Sequence, residues 1–151
     1  MNIIKKIKNG FSLIEILTVI GILAILAVII LSFLQQYQPT MKLRGEAREL
    51  ASEMRYAQQL TLTEQIIHLV RFFPADKKYQ VIKAPAGQNE EVIKEITLQT
   101  PVIFKEITFT DNEVSFNSSG ASSESGQVVL TNNEKDITVE VKPSGYIKII
   151  E

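Results

Sequence analysis

Cysteine is absent from this chain of 151 residues, and histidine occurs once. Without cysteine there is no disulfide framework and no zinc-thiolate site. The single histidine, His68, lies in an apolar, strand-like run, where a packed imidazole is the ordinary occupant. No glycine-rich phosphate loop or nucleophile elbow is present, and no internal repeat is visible. An excess of basic charge is missing as well. The formal net charge is −1, and phosphate neutralisation by a nucleic-acid binder needs a basic stripe. These absences argue against an enzyme and call for no cofactor. One further absence is local: from Ile16 to Leu34 there is no charged residue at all.

That uncharged stretch is the core of the most informative feature. A basic leader carrying Lys5, Lys6 and Lys8 ends at Asn9-Gly10 and meets Phe11-Ser12-Leu13-Ile14-Glu15, followed by the apolar run. From Phe11 to Leu34 the run spans 24 residues, about 36 Å as a helix and enough to cross a bilayer core of about 30 Å with some tilt. The leader lysines favour a cytoplasmic amino terminus, and the segment after the span (Gln35, Gln36, Tyr37, Gln38, Pro39) lacks positive charge. Everything beyond the span is then expected outside.

Glu15 lies inside the otherwise apolar segment, close to its cytoplasmic end. A carboxylate in lipid is costly, so it has either a partner, a task, or a route to the headgroups by snorkelling. The leader also differs from a secretory signal, whose small-residue cleavage site follows the apolar region. Here the small residue, Gly10, precedes it, and cleavage after Gly10 keeps the helix on the mature chain. Removing the leader's three lysines takes the formal charge from −1 to −4.

Gly10-Phe11-Ser12-Leu13-Ile14-Glu15, between a basic leader and some twenty apolar residues, resembles the class III signal of type IV pilins and type II secretion pseudopilins. The resemblance implies cleavage between Gly10 and Phe11 by a membrane prepilin peptidase that also N-methylates Phe11. It implies, too, extraction from the lipid bilayer of the inner membrane by an assembly platform into a helical filament of pilin-like subunits. Cleavage creates an α-amine on Phe11, positively charged below a pKa of about 8. In the family the equivalent of Glu15 is thought to neutralise that amine on a neighbouring subunit, since a buried carboxylate and a buried ammonium are tolerable when paired. Glu15 is therefore the expected assembly residue.

Beyond the span, Leu43, Ala47, Leu50, Met54, Ala57 and Leu60 recur at spacings of three and four, the pattern of an amphipathic helix. Its outer face is read as Lys42, Arg44, Glu46, Arg48, Glu49, Glu53 and Arg55, and Pro39 is expected to kink its junction with the membrane half. After Thr63 the period changes to two. Strands are expected at Ile66–Phe73, Tyr79–Ala84, Val92–Leu98, Val102–Phe109, Glu113–Phe116, Val128–Thr131, Ile137–Val141 and Tyr146–Ile150, separated by turn signals. Ile137, Val139 and Val141 alternate with Thr138, Glu140 and Lys142, as in a half-buried antiparallel sheet. The expected fold is α+β: a long amino-terminal helix, its outer half packed on a carboxy-terminal antiparallel sheet or sandwich. The expected divisions are a leader (1–10), a membrane or filament-core helix (11–34), an amphipathic half (35–65) and an outward β domain (66–151). The serine-rich piece 118–126 is read as a mobile surface loop.

The run Leu50-Ala51-Ser52-Glu53-Met54-Arg55-Tyr56-Ala57-Gln58-Gln59, strand-like Ile67–Phe72, and the later segments Val114–Gly120, Gly126–Leu130 and Ile137–Ile149 are similar to GspH/FimT-type pseudopilins. Some of that subgroup bind DNA through a carboxy-terminal Gly-Arg-x-Arg element. This chain has Gly145-Tyr146-Ile147-Lys148, without either arginine and with Asp136, Glu140 and Glu151 nearby, which argues against DNA as a partner. Tyr146 is read as a packed strand residue. Many major pilins close a carboxy-terminal loop with a disulfide, which this chain cannot do. Acidic groups at Asp111–Glu113 and Asn132–Asp136 offer oxygens to Ca²⁺ but fit no recognised loop, and polar turns account for them. The expected role is a structural minor pilin or pseudopilin near a filament tip. The alternatives are a major pilin, a DNA-uptake minor pilin, and an unprocessed single-pass binding protein.

Overall fold

The computed structural model describes residues 11–151, with the side chains of 32–36 outside the described set. One long helix, α1 (Leu13–Glu64), precedes eight strands: β1 (His68–Phe73), β2 (Lys78–Lys83), β3 (Glu91–Thr97), β4 (Ile103–Ile107), β5 (Glu113–Phe116), β6 (Gly126–Thr131), β7 (Asp136–Val141) and β8 (Ile147–Ile150). A short 3₁₀ turn, Thr110–Asn112, leads into β5. The chain forms two compact units, one ending at Tyr37 and the other running from Gln38 to Glu151. The helix continues through Pro39.

In the first unit, Leu13–Leu31 is long and apolar enough to cross a membrane, and none of it is buried. Such a surface is stable only in lipid or against other apolar helices.

The second unit has two four-stranded antiparallel sheets. One has the order β3-β2-β1-β5 and the other β4-β6-β7-β8. Their strands are not consecutive blocks: the chain builds β1 to β3, crosses to place β4 in the second sheet, returns for β5, and finishes with β6 to β8. The helix period supplies the third layer. Leu43, Ala47, Leu50, Met54 and Ala57 are fully buried, joined by Ala51, and share one core with Val70, Phe72, Val81 and Val114 of the first sheet and Val128, Leu130, Val139 and Val141 of the second. At about 1.5–3 kcal/mol for each large apolar side chain buried, this common core dominates the stability of the unit. Phe72 ties the sheets together, stacking on Phe109 at 6.2 Å and meeting Phe104 edge-on at 5.8 Å between ring centroids.

Several expectations need correction. Glu46 and Glu53, placed by sequence on the outer face of the helix, are 4% and 9% exposed. They flank the stripe closely enough for the first sheet to cover them. The first strand begins at His68 rather than Ile66, because Gln65 adopts a left-handed backbone (φ 57°) that ends the helix, and a turn follows. The strand expected at Val102–Phe109 narrows to β4, with Val102 and Phe109 turned into the core at either end. Tyr146 precedes β8 and is 58% exposed, so it does not pack as a strand residue. The serine-rich segment is tied down: Ser122 is buried and its N–H donates to the Pro143 carbonyl, while the Ser123 N–H donates to the Ser115 carbonyl. The expected alternation in β7 holds, with Ile137, Val139 and Val141 buried and the residues between them not.

Candidate functional site

Gly10, like Lys5, Lys6 and Lys8, lies outside the described residues. The two other expected site residues are described. Phe11 precedes the helix and is 78% exposed. Glu15 occupies the first turn of α1. The Ser12 carbonyl accepts from the N–H groups of Glu15 (3.1 Å) and Ile16 (3.2 Å), which makes Ser12 the residue that starts the helix. Ser12-Leu13-Ile14-Glu15 then has the spacing of a capping box. A carboxylate at this position is favoured by the helix dipole, and Glu15 is solvent-exposed. Among the described residues none forms an ion pair with it. The geometry therefore leaves one exposed carboxylate within a turn of Phe11, on a helix whose other exposed side chains there are apolar.

The carboxy-terminal turn is built for shape. Gly145 has φ 79°, and a Cβ there would overlap the Gly120 carbonyl and the Gln58 amide. Gln58, from α1, donates its side-chain N–H to the carbonyls of both Gly120 and Gly145. One glutamine thus fastens the serine-rich segment and the β7–β8 turn to the helix. Lys148 is paired across the ladder with Glu140, and Arg55 of α1 donates to the Ile147 carbonyl at the start of β8.

The acidic turns are polar loops. Glu124 accepts from the Thr110 N–H and hydroxyl, and the Asn132 side chain accepts from the N–H groups of Glu134 and Lys135. No group of three His, Cys, Asp or Glu able to hold a metal ion occurs among the described residues. His68 is fully buried where the helix hands over to β1, its Nδ1 2.8 Å from the Ile66 carbonyl. It is a packed histidine.

A feature missed by sequence is the polar seam between α1 and the first sheet. Glu46 Oε1 accepts from the Gln99 N–H, and Glu53 Oε1 pairs with the Lys94 ammonium of β3. Glu46 Oε2, Glu53 Oε2 and the Tyr79 hydroxyl are buried without a hydrogen-bond partner. Burial raises the Glu46 pKa, against the Gln99 hydrogen bond and with the repulsion of Glu49. Burial also pushes the Tyr79 hydroxyl up, reinforced by the charges of Glu49, Glu53 and Glu46. The signal in the sequence was the spacing of 46, 49 and 53, which repeats the helix period beside the apolar stripe.

Residues 46–145 match the family described as Type II transport protein GspH, and residues 5–31 match the prokaryotic N-terminal methylation motif. No curated protein matches the chain in sequence. Among solved structures, the type IV minor pilin FimU of Pseudomonas aeruginosa is similar in fold, with a TM-score of 0.64 at 11% identity over 76% of this chain and 92% of that one. The minor pseudopilin EpsH from the type 2 secretion system of Vibrio cholerae is similar at a TM-score of 0.62 and 11% identity, covering 72% of this chain and 96% of that one.

Proposed function

From the premise that the chain belongs to the GspH family and carries the N-terminal methylation motif ahead of that region, we propose that it is a minor pilin or pseudopilin subunit, placed at or near the tip of a type II secretion pseudopilus or a type IV pilus. The observation that carries this reading is the exposed first unit, an apolar helix with a single carboxylate, Glu15, in its first turn. Before assembly the bilayer covers that helix, anchored in the inner membrane with its amino terminus cytoplasmic and the Gln38–Glu151 unit outside. After assembly the helices of neighbouring subunits cover it.

Processing makes Glu15 useful. A prepilin peptidase cutting after Gly10 gives Phe11 a charged, methylated amine. In a low-dielectric filament core an unpaired amine or carboxylate costs several kcal/mol, and pairing between subunits offsets much of that cost. The pair therefore selects one axial register, because a slip of the incoming helix leaves both charges unmatched. Lipid extraction needs an assembly platform, and the other subunits provide the remaining apolar contacts.

The test is co-expression with a prepilin peptidase, followed by intact mass and amino-terminal sequencing of the membrane-extracted chain. The expected product begins at N-methylated Phe11, and Gly10→Leu retains Met1 at its amino terminus. Glu15→Gln is expected to be processed normally yet to lose filament incorporation by about tenfold or more. A wild-type chain that keeps its leader in the presence of an active peptidase would refute the reading.

A further inference from the structure

The helix of the first unit begins just past the bond that processing cuts. Phe11 and Ser12 are not helical, and α1 starts at Leu13. We infer that Ser12 is a positioning residue for processing: it stops the helix short of the Gly10–Phe11 bond, so that a prepilin peptidase meets that bond outside the helix. The inference rests on the processing proposed above and names the residue that makes the bond accessible.

Hydrolysis adds water across the bond. The hydroxyl goes to the Gly10 carbonyl carbon, the C–N bond breaks, and the remaining proton goes to the Phe11 nitrogen. Attack needs a carbonyl that is not already wrapped in helix. A helical Gly10 would accept from the Ile14 N–H, four residues on, with the side chains of the next turn crowding its carbonyl. Among the described residues the first carbonyl to accept is instead that of Ser12, from the N–H groups of Glu15 at 3.1 Å and Ile16 at 3.2 Å.

The choice of start falls to Ser12 because a helix has to satisfy its leading N–H groups, which find no carbonyl within the helix. A serine at the N-cap offers a side-chain acceptor, and Glu15 three residues on completes the capping-box spacing. Phe11 and Ile16, on either side of that box, stand at the spacing of a hydrophobic staple. The nearest rival start lies upstream. Asn9 belongs to a residue type that ranks with serine as a cap, and a helix capped there takes Gly10 and Phe11 as its first two residues, with the bond to be cut inside its first turn. Ser12→Ala removes the acceptor at the later start and puts a better helix former in its place, so the balance moves towards Asn9. Near the lipid boundary, where little water is at hand to take uncapped N–H groups, that move is favoured further.

The full-length precursor and its Ser12→Ala, Ser12→Gly and Ser12→Thr variants, each in detergent micelles with a purified prepilin peptidase, separate this role from direct recognition of the hydroxyl. Threonine and glycine both serve as caps, glycine without any hydroxyl. Cleavage after Gly10, followed by intact mass, is expected to slow about fivefold for Ser12→Ala and to stay within about twofold of wild type for Ser12→Thr and Ser12→Gly. Backbone chemical shifts of the uncut precursors are expected to show Phe11 helical in Ser12→Ala and non-helical in wild type. Wild-type cleavage of Ser12→Ala, an unmoved helix start in that variant, or equal slowing of Ser12→Gly and Ser12→Ala overturns the inference and leaves the processing reading intact. A wild-type precursor that is not cut at all sinks the processing reading and this role for Ser12 with it.

Discussion

Glu46 illustrates how a single residue on an otherwise regular helix face acquires a distinct chemistry. Its neighbours Leu43, Ala47 and Leu50 are buried for apolar reasons, and one turn of the helix brings the carboxylate into the same shelter. Burial keeps it protonated to a higher pH in the folded chain than in the unfolded one. The sign of the effect follows. Below the ordinary carboxylate range of about 4.3 both states hold the proton and folding carries no penalty. As pH rises from there through the raised folded pKa, the unfolded state releases its proton first and stability falls. Glu46→Gln retains an acceptor for the Gln99 N–H and removes the ionisation. Its melting temperature in detergent micelles, measured against wild type, is expected to gain as pH goes from about 4 to about 7; a constant difference across that range would contradict the argument.

Elements in this fold are fastened to one another by a few polar ties as well as by the core. The clearest is Gln58, which holds both the serine-rich segment and the Pro143–Gly145 turn against α1. Gly145 is needed twice over, for its left-handed φ and for the space its missing Cβ leaves to Gly120. Gly145→Ala is expected to destabilise the second unit by about 2 kcal/mol or more, read as a lowered melting temperature of the full chain, with local hydrogen exchange rising first in β7, β8 and residues 118–123. Pro-Ser-Gly is legible in sequence as a turn. Its use as a clamp for a segment some twenty residues earlier is not, because no local pattern records which carbonyls a helical glutamine will reach. The same limit explains Glu53, whose partner Lys94 lies 41 positions away.

For the whole molecule the decisive quantity is uncovered apolar surface. The helix from Leu13 to Leu31 presents no buried residue, so the chain requires lipid, detergent or neighbouring helices at every stage. An alkaline carbonate wash of membranes is expected to leave the precursor in the pellet and detergent to release it; release by carbonate alone would show that the span is not inserted. The other unit has a different economy. One layer of helix and two small sheets share a single core, closed by the Phe72, Phe104 and Phe109 rings, and its strands need no support from the apolar helix to satisfy their hydrogen bonds.

The sequence by itself determined what is local and periodic: the Gly10–Phe11 junction, the uncharged span, Glu15, the helical stripe from Leu43 to Ala57, and the alternation of β7. Each depends on spacing along the chain, which the 3.6 and 2 residue periods translate directly into faces. Only the tertiary structure decided that the strands divide into two sheets, with β4 and β5 exchanged between them, because strand partners are chosen by packing over long separations. It also decided that Glu46 and Glu53 face inward. A residue at the margin of an apolar stripe is exposed or buried according to what is laid against it, and here the first sheet, with Tyr79 and Lys94, covers that margin.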